Sequence, residues 1–72
     1  MPALPILSGA RVVRVLGRLG YQVVRQRSSH LRLACEGRKS VTVPDYQVIS
    51  RGLLRKILRD AEVTALELRK LL

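Results

Sequence analysis

His30 is the only histidine among 72 residues, and it follows Ser28-Ser29 at the start of a short alternating segment. Imidazole is the side chain whose ordinary pKa lies near neutral pH, so it can move protons there in either direction. The same chain carries fourteen Lys and Arg against five Asp and Glu, a formal charge of +9. Positive charge of this kind holds a phosphate and stabilises charge that develops on it. Strand alternation puts Leu31, Leu33 and Cys35 on one face and His30, Arg32 and Ala34 on the other. Arg25 and Arg27 fall on the preceding strand and its turn, within reach of that second face. A histidine so placed can take a proton from a ribose 2′-hydroxyl or give one to a leaving oxygen, while guanidinium groups orient the phosphate. The alternative is a solvated surface histidine that contacts phosphate or nothing, and the residues alone leave both open.

Other chemistries find little support. Cys35 is the only cysteine, so no internal disulfide and no cysteine metal cluster can form. One Cys and one His are too few ligands for a structural zinc, and a deep pocket for an organic cofactor is not expected at this size. No carboxylate pair, P-loop or hydroxyl–His–acid array can be assembled. Asp45 is the only acid near the strand block that could orient His30, and only if the fold brings them together. Tyr21 and Tyr46 are too few and too scattered to build a base-stacking platform. Arg11, Arg14 and Arg18, and likewise Arg51, Arg55 and Arg59, could track a phosphate backbone or be ordinary solvated helix faces. From Arg11 to Lys39 eight basic residues face the single acid Glu36, an imbalance that points to an anionic partner. No apolar run approaches a membrane span and nothing resembles an export signal, so a cytoplasmic protein is expected, with no membrane partner.

The elements that must position these residues follow from local signals. The length predicts one domain, residues 1–72, with a small aliphatic core: about 60% of the unfolded surface is buried at this size. Pro2 and Pro5 suggest an extended lead-in. Ser8 caps a helix expected from about Gly9 to Leu19 and stopped by Gly20. Val12, Val15, Leu16 and Leu19 form its apolar arc with Val13 at the margin, and Gly17 is expected to mark a close packing contact. Strands are predicted over Tyr21–Arg27, His30–Cys35 and Lys39–Val43, the last with Val41 and Val43 opposite Ser40 and Thr42. Gly37 supplies positive φ to the second turn, and Pro44 ends the third strand. Ser50 caps a helix over Arg51–Ala61 whose Leu53, Leu54, Ile57, Leu58 and Ala61 face a core. Thr64 and Glu67 form a capping box for a last short helix carrying Leu68, Leu71 and Leu72. The order α-β-β-β-α-α predicts a two-layer α+β domain.

Several short motifs in this order resemble a known family. They are Ser8-Gly9, the run Leu16 to Arg27, Ser29-His30, Val41-Thr42-Val43-Pro44 and the stretch Gly52-Leu53-Leu54-Arg55-Lys56-Ile57-Leu58-Arg59-Asp60-Ala61. Together they are similar to the HicA (YcfA-like) mRNA interferase toxins over about residues 8 to 70. The resemblance implies a dsRBD-like α-β-β-β-α fold, metal-independent endoribonuclease cleavage of mRNA, and neutralisation by a HicB-like antitoxin. It also implies that the histidine of the family's Gly-Ser-His motif, here His30, is catalytic. Three positions depart from the family pattern. Ser28 stands where glycine is common and restricts φ before Ser29-His30. Tyr46 stands in place of a frequent histidine, and Leu53 in place of a common threonine.

The resulting expectation is a toxin that cleaves RNA through His30, with Arg25, Arg27, Ser29 and Arg32 as RNA contacts, and with neither metal nor cofactor. Water, Tyr46, Asp45 or no side chain at all could be the second participant. A non-catalytic RNA-binding module of the same fold is the main rival, since such domains bind by shape and phosphate contacts alone. A protein-interaction domain that merely carries charge is the third. Salt separates the last two, because phosphate contacts weaken steeply with ionic strength and apolar ones persist.

Overall fold

The computed structural model describes residues 4–72. Pro2 therefore lies outside the described residues; Leu7 pairs with Ile49 in an isolated antiparallel bridge. Helix α1 spans Gly9–Gly17 and is started by Ser8, whose hydroxyl accepts the Arg11 N–H at 3.1 Å. Its α-helical ladder stops two residues short of Leu19 because the last turn tightens. Arg18, Leu19 and Gly20 N–H groups donate to carbonyls three residues back, and Tyr21 N–H reaches Leu16 O at 3.1 Å. Gly20, at φ +105, makes this exit possible.

Strands β1 (Gln22–Arg27), β2 (His30–Cys35) and β3 (Arg38–Pro44) form an antiparallel sheet in the order β1-β2-β3. Tyr21 precedes the first strand rather than belonging to it, and β3 is one residue longer at each end than expected. A bulge between Val23 and Arg25 interrupts the β1–β2 register. The extra residue lets Val23 stand opposite Leu33 while Arg25 stands opposite Arg32.

Helix α2 (Arg51–Ala61) begins at Ser50, whose hydroxyl accepts the Leu53 N–H at 3.2 Å. It ends through Glu62, a left-handed residue at φ 59, with Arg38 donating to Ala61 O at 2.8 Å. Helix α3 (Ala65–Leu71) opens with the predicted box. Thr64 and Glu67 exchange hydrogen bonds of 3.1 Å in both directions, and the Thr64 backbone N–H holds the Glu67 carboxyl below its ordinary pKa.

Helices α1 and α2 lie against one face of the sheet and Leu68 of α3 joins the same core, giving the expected α+β domain, consistent with a dsRBD-like fold. Val12, Val15 and Leu16 of α1 meet Leu33, Val41 and Val43 of the sheet and Leu54, Ile57, Leu58 and Ala61 of α2 in one buried cluster. Leu19, Leu53 and Cys35 pack at its margin, half-buried. The close approach expected at Gly17 is absent, since a Cβ there would meet nothing. Gly9 carries it instead: a Cβ at that position would overlap the carbonyl oxygen of Pro44.

Candidate functional site

The β1–β2 hairpin is a two-residue connection, with Ser28 and Ser29 alone between paired Arg27 and His30. Only the first of these loop residues has positive φ, 55° at Ser28, a conformation that ordinarily favours glycine. The tight turn sets the register, and the register sets the outer face of the sheet. Arg27 stands opposite His30, Arg25 opposite Arg32, and Arg32 opposite Thr42 on the third strand. All five side chains therefore emerge on the face away from the helices, where they line one open depression of about 230 Å³.

No carboxylate lines this depression. Arg32 is fixed by donation from its Nη1 to Thr42 Oγ1 at 2.9 Å, which points one guanidinium across β2 and β3. Three guanidinium groups and one imidazole thus share a solvent-facing surface whose counter-charge must come from outside the chain. Such an arrangement suits a phosphate group, with charge-assisted donors already in place.

Arg25, Arg27, His30 and Arg32 are thus brought together as the strand parity required. Ser29 is not: it is half-buried, absent from the lining, and its carbonyl accepts the Asp45 N–H at 2.6 Å. That bond ties the loop after β3 to the hairpin turn, yet the described residues include no contact between the Asp45 carboxylate and His30. Tyr46 does reach the histidine. Its ring meets the imidazole edge-on, with centroids 6.3 Å apart and planes at 70°. Thr42 escaped the sequence reading of the site; alternation gave its face, but only the β2–β3 register shows that it stands beside Arg32.

The arginine stripes behave differently from one another. Arg11, Arg14 and Arg18 are exposed along α1. Arg51 donates from Nε to Leu4 O at 3.1 Å, so it fastens the N-terminal segment to α2.

Residues 9–63 match the family model described as HicA toxin of bacterial toxin-antitoxin. The chain belongs to this family, which makes an antitoxin its implied partner. No curated protein and no solved structure matches it. Within the matched span, the leucine at position 53 leaves helix α2 properly started, because the Ser50 hydroxyl supplies the cap. No helix among the described residues is long and apolar enough to cross a membrane.

Proposed function

We propose that this HicA-family chain is an endoribonuclease toxin that cleaves mRNA without a metal and is neutralised by a HicB-like antitoxin. One observation carries the reading: the only imidazole of the chain and three guanidinium groups converge on one open depression without a carboxylate. His30 serves as general acid or base. It accepts the proton of a ribose 2′-hydroxyl as that oxygen attacks the adjacent phosphorus, or returns a proton to the 5′ oxygen that leaves. Arg25, Arg27 and Arg32 hold the non-bridging oxygens and stabilise the extra negative charge of the transition state. Proton transfer and fixed positive charge are the whole of this chemistry. The shallow, open shape supports a polymer laid across a sheet face. Ser29 supports the site through its backbone rather than by touching RNA. The antitoxin is expected to cover the same face with acidic or apolar groups, since bare guanidinium groups are costly to bury without partners.

The decisive experiment incubates the folded parent chain and His30→Ala with labelled RNA in EDTA. Loss of a general acid–base group should slow cleavage by about 10²–10⁴-fold. Equal cleavage by both forms would remove His30 from the mechanism. RNA binding with no cleavage by either would establish a non-catalytic RNA-binding module instead.

A further inference from the structure

The lining of the depression offers cations and one hydroxyl, and these groups recognise phosphate and ribose, which every nucleotide shares. It carries no aromatic ring besides the imidazole on which a base could stack. The residue beside it does. Tyr46 leaves 48% of its surface in solvent, and its phenol makes no hydrogen bond among the described residues. The other tyrosine behaves as a structural residue should: Tyr21 is buried and donates to Lys39 O at 2.7 Å.

The backbone that carries Tyr46 is also anchored. Its carbonyl accepts the Gly9 N–H at 2.8 Å, the preceding Asp45 N–H donates to Ser29 O at 2.6 Å, and Ile49 N–H donates to Leu7 O at 2.7 Å. These bonds clamp the loop between β3 and α2 to the start of α1 and to the hairpin turn. With the backbone anchored in advance, only the freedom of the side chain is lost when a ligand settles on the ring. The Tyr46 and His30 rings meet edge to face with centroids 6.3 Å apart, so a base stacked on Tyr46 would lie beside the imidazole.

We propose that Tyr46 seats one nucleobase of the RNA by stacking, and thereby determines which phosphate is presented to His30. The inference rests on the endoribonuclease reading for its consequence, but the stacking itself is a binding event that can be measured without cleavage. It differs from a proton-transfer role for the phenol, because stacking needs the ring and not the hydroxyl.

The test titrates the parent chain, Tyr46→Phe and Tyr46→Leu with a 2′-O-methyl hexanucleotide, which has no attacking hydroxyl, while a single abasic position is moved along the probe. The parent should lose roughly tenfold in affinity when the seated base is removed. Tyr46→Phe should keep that dependence, and Tyr46→Leu should flatten it while retaining weak, salt-sensitive binding. On the matching unmodified RNA, Tyr46→Leu should raise KM by a similar factor and spread cleavage from one phosphate to its neighbours, the pattern of a lost contact that sets register. An abasic profile unchanged in Tyr46→Leu, or flattened in Tyr46→Phe, overturns the assignment. The expected profile with no cleavage by the parent would sink the endoribonuclease reading alone and leave the seating of the base in place.

Discussion

Arg25 and Arg32 face each other directly across β1 and β2, and like charges in that relation oppose the pairing of their strands. Neither the sheet nor the core gains from keeping both, which fits the proposed phosphate-holding role and not a stabilising one. The two roles can be separated. Arg25→Gln should raise stability by about 0.2–1 kcal/mol in urea unfolding, while weakening RNA binding and reducing the dependence of log K on log salt by about one contact. A variant that loses stability and binds RNA unchanged would show that Arg25 packs rather than recruits. Arg32 is the less clean probe, since its Thr42 bond at 2.9 Å is lost with it. Strand parity in the sequence was enough to group His30 with Arg32. It could not show that Thr42 would steady that arginine, because side-chain partners across strands depend on register.

The hairpin turn is where sequence and backbone conflict. Ser28 occupies φ 55°, a region in which a Cβ crowds the following carbonyl at a cost of about 1–2 kcal/mol. Ser28→Gly should raise stability by about 0.5–1 kcal/mol, once the greater freedom of glycine in the unfolded chain is subtracted. Thermal unfolding of this variant beside Glu62→Gly, the other non-glycine at positive φ, checks it: the α2 terminus should respond alike and leave RNA cleavage untouched. Elements defined by contacts three residues apart were legible from sequence. Ser8, Ser50 and the Thr64–Glu67 box all cap where their spacing predicted, as those bonds are closed locally. Contacts made across the fold were not legible. The Val23–Arg25 bulge, the approach of Tyr46 to His30 and the use of Arg51 on Leu4 O join segments distant in sequence. The same reason moved the tight glycine from 17 to 9: a helix pattern shows that a glycine is present, but only its neighbours in space show whether it is needed.

At the scale of the whole molecule, Tyr21 joins the exit of α1 to the far strand, through its N–H to Leu16 O and its hydroxyl to Lys39 O. Burial raises its pKa, with Cys35 and Glu62 adding to the effect and Arg38 opposing it. Folding therefore favours the protonated phenol. Its contribution is complete below the unfolded value of 10.0 and is lost as pH rises from there through the raised folded value. Tyr21→Phe should cost about 1 kcal/mol near neutral pH, the usual worth of such a bond, and should show a shallower loss of stability above pH 10. Denaturant melts at stepped alkaline pH read both effects. The first strand carries a different consequence. All six residues of β1 are exposed and it ends the sheet on one side, leaving backbone donors and acceptors that another chain's edge would match. Unmanaged edges of this kind recruit copies of themselves into growing sheets. Here the bulge after Val23 breaks the flat ladder such growth requires, and Arg25 and Arg27 give every copy the same repelling charge. The cations proposed to hold RNA on the face of the sheet thus also keep its border closed to other copies of the chain.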